Sequence, residues 1–268
     1  MSAVLKDTSV TPASVAMGAR VEGIDLTRQM SGDTVSRLRT LMHEHHLLVL
    51  PNQNLEALEL ERFGRLWGNL LTHPSTQHED TPYVQWIRGR NTKGRFFPGV
   101  HRGFDGWHSD MTWHPTPPIF TGLHARQMPS SGGNTAFANQ HLAYETLSDE
   151  MKARIDGLQA FHTGKVFGPT VPDSIHPVVR THDETGRKAL FVNANFTKHI
   201  VDMPETESQL LLYELFAHAV RPEFSYRHQW SVNDLVLWDN RSVMHYAILD
   251  YEERRVMHRI VVEGDKPR

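Results

Sequence analysis

The sequence predicts a mainly β, α+β fold: a barrel or jelly roll with helices on its outside. Three observations lead there. Seven short β-like runs follow one another from residue 119 onward, and turn residues separate them. One long helical pattern interrupts this series, and two amphipathic helical patterns precede it.

Taken in order, Asp33 is placed to cap a first helix that has Val35, Leu38 and Met42 on one face and ends near His46. "LLVLP", residues 47–51, is a short apolar run stopped by proline and reads as a strand. A second helix is expected over 55–66 with Leu58, Phe63 and Leu66 inward, and 83–87 alternates as a strand does. Residues 88–106, "RGRNTKGRFFPGVHRGFDG", have no period and are rich in Gly and Arg. A connection that long inside a compact domain is usually functional, so 88–106 is expected to be an active-site lid. The β-like runs are "IFTGLHARQ", "NTAFAN", "HPVVRTH", "RKALFVN", "FSYRHQW", "DLVLWD" and "HRIVVEG", with "HDETGR" as a hairpin turn. Pro204 opens the intervening helix, Glu205–Ala219, whose inward residues are Leu211, Leu215 and Phe216. No repeat or Ser/Gly linker divides the chain, so residues 1–268 are expected to form one domain.

Composition narrows the chemistry. Lys and Arg total 28 against 31 Asp and Glu, so no overall field draws the chain onto nucleic acid or acidic lipid. The absence of cysteine excludes disulfides and thiol catalysis, and any metal must take nitrogen and oxygen ligands. With no signal-like start and no apolar run of the roughly 18 residues a membrane span needs, a cytoplasmic location is expected. The 18 histidines call for scrutiny one by one, because histidine is the commonest metal ligand.

Residues 107–118, "WHSDMTWHPTPP", place His108, Asp110 and His114 within seven positions. On a strand, His108 and Asp110 would share a face and offer a nitrogen and a carboxylate oxygen. A histidine from a distant strand would complete a 2-His-1-carboxylate triad of the kind that binds non-heme Fe(II). His114 lies among prolines that break the strand, and is expected at a pocket wall or the surface. "HEHH", residues 43–46, lacks the i, i+4 spacing of helical metal sites and reads as a solvated helix end. In the C-terminal part, "DLVLWDNRSVMHYAILDYEERRVMHR" carries His245, then Arg255 ten residues later and Arg259 four beyond that. Arginines in a β-rich core imply an anion or carboxylate to hold, so this segment describes a metal beside an organic-acid site.

The combination of "WHSD", "SGGNTAFAN" and "WDNRSVMHYAILDYEERRVMHRIVVEGDKP" resembles the taurine dioxygenase family of Fe(II)/2-oxoglutarate-dependent dioxygenases. That family also includes alkylsulfatases and 2,4-D dioxygenases. The likeness runs from about Gly18 to the C-terminus. It implies a double-stranded β-helix (jelly roll) core, with His108, Asp110 and His245 as iron ligands. It assigns Thr135 and Arg255 to the distal carboxylate of 2-oxoglutarate. Arg259, His73 and the backbone N–H of Met111 are assigned to the anionic group of the substrate, and Phe196 to the pocket wall. A homo-oligomer is expected by the same analogy. Trp113, three residues after Asp110, is expected to face the substrate. Asp239 or Asn240 is expected to orient His245.

The chain departs from the family pattern between His73 and His108, which is long and carries five cations, and at Thr76 and Phe104, which lie roughly where a tyrosine and an asparagine of the pocket would be. With Trp113, Phe97 and Phe104 aromatic, the expected substrate is a small organic anion (sulfonate, sulfate ester or carboxylate) larger or more apolar than taurine. The expected products are succinate, carbon dioxide and a hydroxylated substrate that fragments when the hydroxyl sits beside a heteroatom. Two competing readings remain: a zinc- or manganese-dependent hydrolase using His108, Asp110 and His114, and a catalytically silent binding protein.

Overall fold

The computed structural model describes residues 8–72, 76–88 and 104–268, so His73, Phe97 and most of the expected lid lie outside the described residues. The chain is mainly β, with its longer helices on the outside. An eight-stranded sheet runs in the order Ser9–Pro12, Ala19–Glu22, Leu47–Leu50, Leu235–Asp239, Phe120–Gln127, Val256–Val262, Thr81–Arg88, Gln77–His78. Its neighbours are antiparallel except Ala19–Glu22 beside Leu47–Leu50. A three-stranded sheet pairs Ser225–His228, Thr135–Asn139 and Val243–Ala247, and another pairs Thr197–Ile200, Gln159–Thr163 and Asp173–Pro177. Val179–Thr181 and Lys188–Leu190 form the hairpin expected around "HDETGR".

The central strands of the large sheet are apolar on both faces because both are covered. On the outer face, Leu48, Leu50, Leu237, Ile260 and Val262 meet Leu38, Leu41 and Met42 of Gly32–His45 and Leu60 and Phe63 of Ala57–Arg65. On the inner face, Leu47, Val49, Leu123, Val236, Trp238 and Met257 pack with Phe137 and Val243 of the three-stranded sheet. Ala136 and Ala138 point the other way, toward Leu211, Leu212 and Leu215 of Glu205–Ala219. Period-two alternation thus puts Phe137 inside and its neighbours outside.

Two helix readings need correction. Ser31, not Asp33, caps the first helix, its side chain accepting from the Thr34 N–H. Leu58 is 59% exposed, and Leu60 takes the inward position with Phe63. "HEHH" is only partly a solvated end: His46 is buried in a left-handed C-cap at φ 65° and packs edge-on against His141 at 5.0 Å. Among the described residues no helix is long and apolar enough to cross a membrane.

Candidate metal centre

His108 and His245 meet across an isolated β-bridge in which each backbone N–H donates to the other's carbonyl, at 3.0 and 2.7 Å. This pairing fixes the imidazoles with ring centroids 4.3 Å apart. Asp110, two residues on, brings its carboxylate to the same cluster as expected, while Ser109 between them donates from Oγ to the Val243 carbonyl at 2.9 Å. The chain then turns, with Met111 at φ 49°. Asp110 Oδ1 lies 4.0 Å from His108 Nε2 and 3.7 Å from His245 Nε2. One donor atom from each of the three residues lies within 4.8 Å of the other two.

Buried hydrogen bonds aim these atoms. Thr121 Oγ1 donates to Asp110 Oδ2 at 2.7 Å, and Asn240 Nδ2 donates to Thr121 Oγ1 at 2.8 Å. Asn240 Oδ1 accepts from Trp238 Nε1 at 3.0 Å and from the Asp110 N–H at 3.4 Å. The ring engages Oδ2 and leaves Oδ1 facing the imidazoles. His108 Nδ1 lies 2.9 Å from the Gly106 carbonyl, which only accepts, so that nitrogen carries the proton and Nε2 presents a lone pair. Neither Asp239 nor Asn240 orients His245, contrary to expectation. Asn240 serves Asp110, while Asp239 binds Arg241 and His182. His245 Nδ1 has no hydrogen-bond partner among the described residues, and its ring is set by Trp238 at 4.7 Å and Phe137 at 6.3 Å.

Burial drives the His245 imidazole down to about 3 and lowers His108 as well, with Asp110 opposing both shifts. Burial alone would raise Asp110, but the Arg259 guanidinium, the two imidazoles and the Thr121 hydrogen bond outweigh it and hold the carboxyl well below its ordinary range. Near neutral pH the group is therefore two neutral imidazoles and one carboxylate, a donor set that suits a divalent cation such as Fe(II). Arg259 Nη2 stands 2.5 Å from Asp110 Oδ1 as a close ion pair rather than an aligned hydrogen bond.

A cavity of about 490 Å³ opens beside the cluster, with His108 and Asp110 in its lining. His108, Asp110, Arg259 and Gln85 form its polar end, and Arg259 Nη1 reaches Gln85 Oε1 at 3.5 Å. Trp113, Phe167, Val171 and Phe196 form an apolar wall, and Met111 also lines it. Phe167 lies 6.2 Å from Trp113 and 6.0 Å from Phe196 between ring centroids. Phe167, Val171 and Gln85 were not foreseen: "GKVFGPTV" has no period, and its one signal is an apolar pair between glycines. Phe104 does not reach the cavity. It is buried against Tyr213 and Phe216, at 5.2 and 5.6 Å between rings. His114 is outside the cluster, its Nδ1 within 3.2 Å of the Thr116 N–H and hydroxyl, which removes the third ligand from the hydrolase reading.

Thr135 and Arg255 are both buried. Thr135 shares a strand face with Phe137, whose cross-strand partner is His245, so the Thr135 side chain points to the same side of the sheet as that imidazole. Arg255 Nε donates to the Gly133 carbonyl at 3.1 Å.

The chain is similar to several known proteins. An alkylsulfatase of Acinetobacter baylyi is 32% identical over 93% of this chain and 83% of its own length. The alpha-ketoglutarate-dependent 2,4-dichlorophenoxyacetate dioxygenase of Cupriavidus pinatubonensis is 31% identical over 95% of this chain and 97% of its own. The crystal structure of a taurine dioxygenase from Burkholderia xenovorans superposes with a TM-score of 0.89 at 34% identity, covering 97% of this chain and 90% of that one. The profile of one family matches residues 7–261, and the chain belongs to it: the taurine catabolism dioxygenase TauD, TfdA family.

Proposed function

We propose that the chain is an Fe(II)- and 2-oxoglutarate-dependent dioxygenase that hydroxylates a small organic anion with an apolar group. The observation that carries this reading is the convergence of His108, Asp110 and His245, as two neutral imidazoles and a carboxylate, with His108 and Asp110 at the polar end of a cavity whose far wall is aromatic. His108, Asp110 and His245 would hold the iron. Thr135 and Arg255 would hold the distal carboxylate of 2-oxoglutarate, a planar anion suited to a guanidinium and a hydroxyl. When bound, the iron and 2-oxoglutarate supply the activation of dioxygen, releasing carbon dioxide and succinate and delivering one oxygen atom to the substrate.

The protein's own part is orientation and exclusion of water. Arg259 would meet the substrate's anionic group, assisted by the Met111 N–H and by His73. Trp113, Phe167 and Phe196 would pack its apolar part and hold one carbon toward the metal. An alkyl or aryl sulfate ester, a larger sulfonate or an aryloxyalkanoate suits such a wall better than a short aminoalkyl chain does. Where the hydroxylated carbon bears the heteroatom, the product fragments and releases the anion.

We read the facing sheets as one double-stranded β-helix (jelly roll) domain spanning 1–268, with 88–106 closing over the substrate. The same reading places the enzyme in the cytoplasm as a homo-oligomer; Leu210 and Tyr213, 68% and 52% exposed on one helix, support self-association. The decisive test is succinate release from 2-oxoglutarate with Fe(II) and ascorbate across a panel of sulfonates, sulfate esters and carboxylates. At least one member should accelerate it severalfold. No acceleration by any member, in protein shown to bind Fe(II), would count against the assignment.

A further inference from the structure

We propose that Trp230 is a positioning residue for the cosubstrate, fixing the hydroxyl proton of Thr135 and carrying the guanidinium of Arg255; this rests on the functional reading above. Thr135 begins the strand Thr135–Asn139, whereas Arg255 immediately precedes the strand Val256–Val262 of the large sheet. Two residues of different sheets must keep a constant separation if they are to grip one carboxylate together. Trp230 touches both. Its indole Nε1 donates to Thr135 Oγ1 at 3.0 Å, and Arg255 Cζ lies 6.0 Å from its ring centroid, at the edge of cation–π range.

The direction of the first contact matters. An indole N–H only donates, so Thr135 Oγ1 must accept. Among the described residues Thr135 Oγ1 makes no other hydrogen bond, and its own proton is left for a further acceptor. A carboxylate is an acceptor only, so Trp230 sets the Thr135 hydroxyl to the polarity that such a ligand needs.

The indole is itself held in one orientation. His228 stands edge-on to it at 4.5 Å and 90°, and His228 Nδ1 lies 2.9 Å from the Tyr226 hydroxyl. His228 pairs in register with Thr135 across the strands, so the ring that abuts the indole and the indole's acceptor belong to one ladder. On the other side, Arg255 is anchored through Nε to Gly133, at φ +68°, where an added Cβ would come 3.3 Å from Arg255 Cδ.

A purely structural tryptophan would stabilise the fold and treat all ligands alike. The experiment is calorimetric titration of Mn(II)-loaded protein, without oxygen, with 2-oxoglutarate and separately with pyruvate, which has the 2-oxo acid group but no distal carboxylate. In Trp230→Phe the 2-oxoglutarate Kd should rise about tenfold, the upper end for one lost neutral hydrogen bond, while the Mn(II) and pyruvate affinities stay unchanged. Thr135→Val should give the same loss and Thr135→Ser little. The double variant Trp230→Phe/Thr135→Val should be no weaker than the worse single variant, because both act on one contact. If Trp230→Phe does not fold, Trp230→Tyr, which keeps an aromatic ring without the indole N–H, takes its place. Unchanged 2-oxoglutarate affinity, an equal loss for both ligands, or additive effects would overturn the proposal. Wild-type protein that binds neither 2-oxo acid would overturn the dioxygenase reading as well.

Discussion

Thr121 Oγ1 stands 2.7 Å from Asp110 Oδ2 and leaves Oδ1 as the carboxylate oxygen nearest both imidazoles. The contact selects which oxygen faces the metal, and Asn240 fixes the hydroxyl's direction by donating to it. Thr121→Val keeps the side chain's shape and removes the donor. The Mn(II) or Fe(II) Kd, measured by calorimetry, should rise about 10- to 100-fold, the usual cost of losing such an outer contact, and Thr121→Ser should restore most of it. Unchanged metal affinity in the valine variant would make the contact merely structural.

Asp110→Ala removes the one carboxylate of the group and should abolish Fe(II) binding. His114→Ala should spare it, because His114 faces Thr116 rather than the cluster. Equilibrium dialysis against Fe(II) under anaerobic conditions separates the two variants. The opposite ranking would move the metal to another ligand set.

Much of this was legible in the sequence where the signal was local. The "HDETGR" hairpin, the strand "DLVLWD" and the helix Glu205–Ala219 follow from turn chemistry and apolar period, and each lies where expected. The spacing of His108 and Asp110 marked a candidate pair, and the two do meet in one cluster just before the chain turns at Met111. Contacts distant in sequence were less legible. Thr121 and Asp110 are 11 residues apart and Asn240 is a further 119 from Thr121, so no local period links them. Phe167 was invisible for another reason: an aromatic residue 66% exposed in an aperiodic segment looks like ordinary surface until the cavity beside it is seen. His46 misled because a helix-end histidine is usually solvated, whereas here Leu47 leads directly into the core and draws His46 inside with it.

Gly164 offers a handle on substrate size. A Cβ there would come 2.6 Å from Trp113 Cδ2 and 2.5 Å from Val171 Cγ1, two residues of the apolar wall. Gly164→Ala must therefore displace one of them, an overpacking that typically costs about 1–3 kcal/mol. The kcat/KM for the bulkiest accepted substrate should fall about tenfold relative to the smallest, consistent with roughly 1–3 kcal/mol per misfitted group. Metal affinity should not change. An equal loss for every substrate would mean that the wall does not select by size.

The buried histidines set the acid limit of the fold. Burial is the largest cause in each case, lowering His46 and His162 to about 3 and His124 and His141 to about 4. The folded-state values lie below the ordinary histidine value of 6.5, so the unfolded chain binds more protons as pH falls. The stability tied to these groups is complete above about pH 6.5 and is lost progressively between about 6.5 and 3–4, at up to about 1.4 kcal/mol per pH unit for each group. Urea unfolding should therefore show a midpoint nearly constant from pH 7 to 8 and falling steeply from 6.5 to 4.5. Carboxylates add to the acid loss mainly below about pH 5, so the interval from 6.5 to 5 isolates the histidines. His162→Gln, which removes one titrating group from a fully buried position, should flatten the slope in that interval even if it lowers stability at pH 8. A midpoint that holds constant down to pH 5 would show that these imidazoles protonate in the folded chain without penalty.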